Sequence, residues 1–253
     1  MVASRDLLLV MPPVELALWR YLLAFLCLLP LLLRRWPRGL SLRDLGFIAL
    51  LGCVQFALLM VCVNRSLALL PAGTTSLIFA MMPLVALLLA AVLGRERLTG
   101  FKLLGVGASI LGVGLALGEG VAFSGTTDAW IGALWSFGGA TCGAVCSVLV
   151  VPLVGRRGAL TVGSLAMATA SLVLLVTSLA GGGLAAPGVL GWLDWLLVAA
   201  IGVSSAVAFR LWLWALSRVS PPQVTVFVSL GPVTALLLGA WFLAEPLGPA
   251  QLA

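Results

Sequence analysis

The sequence predicts an all-α polytopic membrane protein built from inverted five-helix repeats, with about eight transmembrane helices in this chain. Three observations support this fold class: an apolar composition, a series of long apolar segments between loops of alternating charge, and an internal repeat. Of the 253 residues, 62% are hydrophobic and 9% are charged, whereas a soluble domain carries about 25% charged residues. A surface that faces lipid accounts for this excess of apolar side chains.

Eight apolar segments approach or reach the length of about 20 residues that a helix needs to cross a bilayer. They are Pro13–Leu33, Asp44–Asn64, Ala72–Leu93, Lys102–Leu117, Ala129–Val154, Ala159–Leu179, Leu190–Leu216 and Val224–Leu243. The net charge is +6, but no basic run is interleaved with aromatic residues. A nucleic-acid partner is therefore not expected.

The charges of the loops set the predicted orientation. Ten of the fourteen basic residues fall in alternate loops: Arg34, Arg35, Arg38, Arg43, Arg95, Arg97, Lys102, Arg156, Arg157 and Arg218. The opposite loops hold Glu119, Asp128, Asp194 and Glu245, with Arg65 as the basic exception. Arginine-rich loops stay in the cytoplasm, so the pattern predicts a multi-pass protein of the cytoplasmic (inner) membrane.

The chain repeats itself at an offset of 149 residues. The stretches Pro83–Leu98 and Pro232–Leu247 are identical at eight of sixteen positions. The same offset places Pro13–Leu33 on Ala159–Leu179, yet equivalent loops carry opposite charge patterns. The two repeats, predicted at residues 1–120 and 127–253, are therefore inverted, as in many secondary transporters.

The offset also leaves two segments without a partner. The equivalent of Ala129–Val154 would precede about residue 5, and that of Lys102–Leu117 would follow Ala253. A complete repeat would have five helices, so we expect most of helix 1 and nearly all of helix 10 to be missing. A truncated non-functional paralogue and a wrongly assigned start remain open alternatives.

Polar side chains inside a membrane are costly and usually face a cavity or a partner. Gln55 is the only side-chain amide in the middle of a segment, and the offset pairs it with Ser204. The offset also pairs Ser76 with Thr225. These pairs are predicted to line a midplane site between the repeats, or else to form interhelical hydrogen bonds.

The other candidate cavity residues are aromatic, hydroxyl or basic. Phe79 and Ser229 follow one turn after Ser76 and Thr225, and Trp135 and Ser136 lie on Ala129–Val154. Arg20 and Arg210 are the basic residues well inside segments; Arg20 lies about 10 Å past Pro13. Each faces an anion in a cavity or anchors the helix at the interface.

Arg210 also shares a helical face with Trp214, which predicts a cation–π contact at i, i+4. In the helix of Trp135, the stretch Gly139–Gly143 has the small-xxx-small spacing of close helix packing. Packing is the alternative to a cavity wall for Trp135.

Two prolines are predicted hinges. A proline removes the N–H that would bond the carbonyl four residues earlier. Pro83 and Pro232 would free the carbonyls of Phe79 and Val228 near the middle of the membrane. Symmetric hinges for alternating access and simple packing kinks are the two interpretations.

The chain resembles a known family over essentially its whole length. MVASRDLLLVMPPVELALWRYLLAF is similar to the end of helix 1 and the start of helix 2 in the drug/metabolite transporter superfamily, EamA type. In that family a Pro-Pro and a following arginine open the second helix, here Pro12, Pro13 and Arg20. ALLPAGTTSLIFAMMPLVALLLAAVLGRERLTGFKLLGVGASILGVGL resembles the fourth and fifth helices, with Gly94 and Glu96 in a Gly-x-Glu element.

The second copy keeps Pro232 and Glu245 of this pattern but has Leu243 in place of the glycine. The resemblance implies ten helices, cytoplasmic termini and a secondary transporter that moves a small metabolite or drug-like solute by alternating access. The expected partners are the lipid bilayer and a small-molecule substrate, with a homodimer as an option.

An enzyme embedded in the membrane is the competing class. Such an enzyme needs an acid, a base, a nucleophile or a metal site, but the chain has no histidine and no paired carboxylates. The five cysteines lie in apolar segments and are expected to be reduced packing residues. We therefore predict no catalytic residue, metal or cofactor. The lack of a deep carboxylate favours exchange or facilitated movement over proton coupling.

Overall fold

The structure is a computed structural model that describes residues 12–34, 39–117, 125–181 and 191–230. Every regular element in these ranges is a helix. In chain order they are α1 (Pro13–Arg34), α2 (Leu42–Cys53), a π-helix (Val54–Leu58), α3 (Leu59–Leu67), α4 (Ala72–Phe79), α5 (Met82–Val92), α6 (Gly100–Leu117), α7 (Thr127–Arg157), α8 (Ala159–Ala180), α9 (Trp192–Leu216), α10 (Pro221–Thr225) and a 3₁₀ helix (Val226–Ser229).

Six helical stretches in the described ranges are long and apolar enough to cross a membrane. They are Val14–Arg34, Leu42–Leu67, Gly73–Val92, Thr127–Arg157, Ala159–Ala180 and Trp192–Leu216. A shorter apolar helix covers Gly100–Gly112, and most of the predicted segment Val224–Leu243 lies outside the described residues. The all-α membrane fold is confirmed, with six long spans rather than eight in the part that the structure describes.

The second span contains a feature that the apolar pattern does not predict. Its start is capped by Ser41, whose hydroxyl accepts a hydrogen bond of 3.1 Å from the Asp44 N–H, as expected of an N-cap serine. The π-helix Val54–Leu58 then separates α2 from α3. Single-turn π-helices inside α-helices occur frequently at functional sites, and this one carries Gln55.

The third span is interrupted at Ala80 and Met81, between α4 and α5. The Ala80 N–H still bonds the carbonyl of Ser76 at 2.9 Å, but the Met81 N–H bonds that of Ile78 at 3.1 Å, in a tighter turn. Pro83 then lies in the first turn of α5, where its missing N–H is tolerated. Pro83 therefore begins a new helix instead of kinking a continuous one.

The residues form two compact units, and each unit draws on both halves of the sequence. The first unit comprises Met1–Ala57 and Val150–Arg218, and the second comprises Leu58–Leu149 and Val219–Ala253. The predicted repeats record the internal similarity of the sequence, whereas these units record which helices pack together.

The packing of the first unit has a two-fold pattern. Helix α1 packs against α8 and α9, and α8 packs against α1 and α2. The offset of 149 residues makes α1 equivalent to α8 and α2 equivalent to α9. The α1–α9 and α2–α8 contacts are therefore the same contact made by the two copies, as a two-fold relation between the copies requires.

Glycines at these two contacts bring the helix backbones close together. A Cβ added at Gly52 on α2 would lie 2.6 Å from the carbonyl oxygen of Ala166 on α8. A Cβ added at Gly202 on α9 would lie 2.6 Å from the Cβ of Leu23 on α1. Small residues allow such approaches, which drive helix association where lipid removes the hydrophobic effect.

The second unit packs α7 against α3 and α5 through small residues. A Cβ at Gly139 would lie 3.4 Å from the Cβ of Cys62, and one at Gly143 would lie 2.9 Å from the Cε of Met82. The predicted packing role of the stretch Gly139–Gly143 is confirmed. Elsewhere in the unit, α10 packs against α5, and α4 packs against α6.

Gly94 explains the Gly-x-Glu element after α5. Its φ of 66° is in the left-handed region, which favours glycine at helix C-termini. This conformation turns the N–H groups of Arg95 and Glu96 back to the carbonyl of Ala90, at 2.8 and 3.2 Å. The turn therefore holds Glu96 close to the end of the helix.

Candidate functional site

Arg20 in the first unit is held by a side chain from another helix. Its Nε donates a hydrogen bond of 2.7 Å to the Ser205 hydroxyl on α9, and its guanidinium lies 5.6 Å from the centroid of the Tyr21 ring. Within the described ranges, its two terminal nitrogens have no recorded acceptor. A partly buried guanidinium with one edge open is suited to a carboxylate, which it binds through paired hydrogen bonds.

The serine beside the predicted one makes this contact. Ser205 is buried, whereas Ser204 is exposed and its hydroxyl donates to the carbonyl of Ile201 on its own helix at 2.9 Å. The repeat offset pointed to Ser204 because it is the equivalent of Gln55, and the adjacent serine offered no signal of its own.

Aromatic rings from three helices pack beside this arginine. The Phe56 ring lies 4.5 Å from the Tyr21 ring and 4.8 Å from the Phe209 ring, measured between centroids. Phe56 is buried and belongs to the π-helix, next to the partly buried Gln55. These three rings could not be predicted as a group from the sequence, because they are distant in the chain and share no common spacing.

The predicted contact between Arg210 and Trp214 is wrong. The guanidinium over the Trp214 ring belongs to Arg218, at 4.9 Å from the centroid, and Arg210 is exposed. Both arginines lie four residues from the tryptophan, but helical side chains lean towards the N-terminus. The side chain of Arg210 therefore leans away from Trp214, whereas Arg218 lies in the turn after α9, where its N–H bonds the Ala215 carbonyl at 2.8 Å and its side chain folds back over the ring.

Three hydroxyl side chains form a buried network in the second unit. The Ser66 and Thr75 hydroxyls are 3.0 Å apart, and the Ser136 hydroxyl donates to the Thr75 carbonyl at 2.8 Å. This network joins α3, α4 and α7. Ser136 is fully buried and is used for interhelical bonding, while Ser76 next to it is partly buried.

The remaining candidates of the second unit lie on α4, α7 and the segment after α9. Phe79 has a ring carbon 3.6 Å from the Cβ position of Gly139, and 37% of Trp135 is exposed. Thr225 is fully buried and its hydroxyl donates to the Pro222 carbonyl at 3.1 Å.

Two candidates are described in part or not at all. Ser229 ends the 3₁₀ helix, but its side chain is outside the description, and Pro232 lies outside the described residues. The candidates fall in both units: Arg20, Gln55, Ser204 and Arg210 belong to the first, and the others belong to the second. A common cavity lined by all of them stays a prediction.

Basic loops meet in the first unit as the orientation requires. Arg157 at the end of α7 donates two hydrogen bonds to one carboxylate oxygen of Asp44 at the start of α2, from Nε at 2.9 Å and Nη2 at 2.5 Å. The loop that ends at Arg43 and the loop that holds Arg157 therefore lie on the same side of the membrane.

The basic loop of the second unit makes a comparable set of contacts. Arg95 donates a hydrogen bond of 2.7 Å to the Val148 carbonyl on α7, and Lys102 forms an ion pair with Glu96. Burial raises the pKa of Glu96, but hydrogen bonds from Lys102 and Ser220 and the charge of Lys102 together hold it below its usual range. The Ser220 contact joins this loop to the segment after Arg218.

The long apolar helices, the equivalent contacts of the two copies in the first unit and the basic loops joined by Arg157 and Asp44 define a polytopic α-helical membrane protein. Residues 1–118 and 130–253 match the EamA-like transporter family, and the chain belongs to this family. It is therefore a multi-pass transporter of small solutes in the cell membrane.

Two similar proteins place the chain more closely. It is 32% identical, over 232 residues, to a protein of Streptantibioticus cattleyicolor (strain ATCC 35852 / DSM 46488 / JCM 4925 / NBRC 14057 / NRRL 8057) described as "Probable terminal-alkyne amino-acid exporter"; the match covers 88% of this chain and 72% of that protein. A solved structure described as "Crystal structure of protein" has a TM-score of 0.78 at 22% identity, covering 95% of this chain and 82% of that one. The second match shows the fold.

Proposed function

We propose that the protein exports a small amino acid or amino-acid derivative from the cytoplasm by alternating access, and that it carries no catalytic activity. The observation that supports this most directly is the relative described as an amino-acid exporter, which is similar over 88% of this chain. The arrangement around Arg20 provides chemistry suited to such a solute.

The carboxylate of an amino acid would bind Arg20. The Ser205 hydroxyl accepts the hydrogen bond from Nε and orients the guanidinium. The two terminal nitrogens can then donate two parallel hydrogen bonds to the carboxylate of the solute. An arginine in the middle of a membrane helix costs on the order of 2.5–3.5 kcal/mol on insertion scales. Binding of the substrate would explain why an arginine is kept at this costly position, whereas contact with lipid would not.

The side chain of the solute would contact the rings of Tyr21, Phe56 and Phe209. These rings pack on one another with centroid separations of 4.5 and 4.8 Å, and Tyr21 and Phe56 are buried, so the solute would reach them from the side of Arg20. Ligand sites are commonly lined by aromatic side chains with a few polar groups that fix orientation. An amino acid with an apolar or alkynyl side chain matches this combination better than a sugar or a nucleotide does.

The break between α4 and α5 would serve as a hinge of alternating access. Hinges are a few residues at the ends of elements that absorb changes in backbone angles. Ala80 and Met81 connect the two helices, and Pro83 prevents the hydrogen-bond ladder from running through. Pro83 would therefore act in the hinge by keeping α4 and α5 separate.

Coupling to a proton gradient is not included in the proposal. The acidic residues of the described spans, Glu15, Asp44, Asp128 and Asp194, all lie within the first three residues of a span. A proton relay commonly uses a carboxylate or histidine deep in the membrane. Exchange or facilitated efflux is therefore the proposed mode.

The proposal is tested by efflux from cells that express the protein. Cells are loaded with labelled amino acids, including one with a terminal alkyne, and with the carboxamide analogue of each. Faster efflux of the amino acids than from empty-vector cells, without efflux of the carboxamides, is the expected result. No accelerated efflux of any amino acid would refute the substrate class.

Variants of Arg20 then test how the carboxylate is bound. We expect Arg20→Gln to reduce efflux about ten- to hundredfold, because it removes charge-assisted hydrogen bonds, and Arg20→Lys to retain part of the activity. Arg34→Gln, in the exposed last turn of the same helix, is the matched control. Equal efflux of acids and carboxamides would show that Arg20 does not bind the carboxylate.

A further inference from the structure

A cavity of about 660 Å³ lies in the first unit, at the end of α2 and α7 that the loop charges assign to the cytoplasm. It is lined by Ser41, Arg43, Asp44, Gly46, Phe47, Leu50, Arg156 and Arg157. None of the candidate solute residues lines it. The proposed solute contacts therefore leave this cavity without an assigned role.

The charges of the lining residues favour an anion. Three arginines and one aspartate line the cavity, so three positive charges against one negative charge leave a net charge of +2. Asp44 is already engaged by two hydrogen bonds from Arg157. The charges of Asp44 and Arg157 therefore offset each other, and the excess positive charge comes from Arg43 and Arg156.

Those two arginines are available to a ligand. Arg43 is exposed and, within the described ranges, has no recorded hydrogen-bond partner. Arg156 has 64% of its side chain exposed. Its Nε donates a hydrogen bond of 3.3 Å to the Pro152 carbonyl of its own helix, and its Nη2 lies 3.8 Å from one carboxylate oxygen of Asp44, beyond hydrogen-bonding distance. Two guanidinium groups whose terminal nitrogens make no hydrogen bond within the described ranges are suited to bind a phosphate at the edge of one cavity.

The rest of the lining is apolar and continues along α2. Phe47 and Leu50 follow Arg43 at i+4 and i+7, which places all three on one helical face. Leu50 is 57% exposed, and a Cβ at Gly46 would meet no atom within 4 Å, so the surface beside the helix is open. A free phosphate would make no use of this apolar surface.

We propose that the cavity binds an anionic glycerophospholipid of the cytoplasmic leaflet. The headgroup phosphate lies between Arg43 and Arg156, and an acyl chain follows Phe47 and Leu50 along α2. Basic pockets between membrane helices on the cytoplasmic side bind anionic headgroups in this way. Because α2 and α7 both line the cavity, the bound lipid stabilises their contact.

The test measures thermal unfolding in an uncharged detergent, followed by the fluorescence of the nine tryptophans. Phosphatidylglycerol, phosphatidylcholine and inorganic phosphate are titrated separately. A ligand that binds the folded state raises Tm in proportion to the logarithm of its concentration over Kd. We expect phosphatidylglycerol to raise Tm and the other two to have little effect.

The double variant Arg43→Gln/Arg156→Gln tests the headgroup contacts, and both side chains are exposed, so folding is retained. We expect an apparent affinity for phosphatidylglycerol that is lower by about fivefold for each arginine removed. The matched control is Arg34→Gln/Arg97→Gln, which removes the same charge from exposed positions outside the cavity and should bind as the wild type does.

Phe47→Ala tests the acyl-chain contact while leaving every charge in place. It should weaken binding of phosphatidylglycerol. A Tm shift produced by inorganic phosphate alone would overturn the proposal in favour of a free-anion site. An equal loss in the Arg34→Gln/Arg97→Gln control would overturn it in favour of a diffuse surface charge, and an equal shift with phosphatidylcholine would exclude headgroup recognition.

Discussion

Arg157 and Asp44, separated by 113 positions in the chain, are joined by hydrogen bonds of 2.9 and 2.5 Å to one carboxylate oxygen. The pair connects the end of α7 to the start of α2, where 24% of the arginine side chain is exposed. Removing one partner of such a pair is more destabilising than removing both, because the remaining charge is left without its partner.

We therefore expect Arg157→Gln to lower Tm by several degrees in detergent without added lipid. Asp44→Asn/Arg157→Gln should recover part of this loss. Arg156→Gln is the control, since its nitrogen lies 3.8 Å from the same carboxylate, and it should leave Tm nearly unchanged. A comparable loss in Arg156→Gln would show that loop charge matters instead of the specific pair.

Gly52→Ala should destabilise the protein by about 1–3 kcal/mol, the usual range for overpacking. The new Cβ would lie 2.6 Å from the backbone carbonyl of Ala166, so α2 and α8 would have to separate. Thermal unfolding in detergent measures the effect as a lower Tm. Gly46→Ala on the same helix, where a Cβ would meet nothing within 4 Å, should behave as the wild type.

Gln55→Leu should reduce efflux severalfold while changing Tm little, because the amide lies on a π-helix inside a span and is predicted to contact the solute. Efflux per molecule of protein in the membrane is the measurement. Asn64→Leu removes an exposed amide from the end of the same span and serves as the control. Unchanged efflux in Gln55→Leu would remove this residue from the site.

Pro83→Ala should slow efflux severalfold without lowering the amount of folded protein. The restored N–H can bond the Phe79 carbonyl, so α4 and α5 can join into one stiffer helix. The control is Pro152→Ala, because α7 already continues through that proline. If both variants transport at the wild-type rate, the break between α4 and α5 is not a hinge.

The stability contributed by Glu96 should depend on pH. Burial raises its folded-state pKa, but hydrogen bonds from Lys102 and Ser220 and the charge of Lys102 outweigh this effect. The folded-state pKa therefore lies below the ordinary value of 4.5. The contribution is therefore present above pH 4.5 and is lost as the pH falls through the folded-state pKa. Glu96→Gln should have a lower Tm than the wild type at neutral pH, and the difference should shrink in acid.

Thermal unfolding of Glu96→Gln and of the wild type between neutral and acidic pH checks this prediction. Asp128→Asn, at an exposed position in the first turn of α7, controls for the loss of a negative charge. A difference between Glu96→Gln and the wild type that stays constant across the range would contradict a role for the ionised carboxylate.

The long helices could be predicted from the sequence because apolar length and loop charge determine them directly. The predicted segment Pro13–Leu33 corresponds to α1 (Pro13–Arg34), and the predicted segment Ala159–Leu179 corresponds to α8 (Ala159–Ala180). The break at Ala80 and the π-helix at Val54–Leu58 were not predicted, because hydropathy does not distinguish hydrogen-bonding patterns within one apolar run.

The candidate site was harder to predict because it depends on side-chain direction. The repeat offset identified Ser204, yet the adjacent Ser205 receives the hydrogen bond from Arg20; one residue changes the facing direction of a helical side chain by about 100°. A pattern of spacing identifies the correct helix and turn, but the choice between neighbours needs the packed helices.

The equivalence of α1 and α8 has a consequence for the direction of transport. If the two inverted copies were identical, the inward-open and outward-open states would be degenerate, because each would be the other turned over. The copies differ at the proposed carboxylate site, because Thr169 is the residue equivalent to Arg20 at the repeat offset. The Thr169 hydroxyl donates to carbonyls of its own helix. Under the proposed alternating-access mechanism, a charged position without a counterpart removes this degeneracy, and we expect the unloaded transporter to prefer one resting orientation.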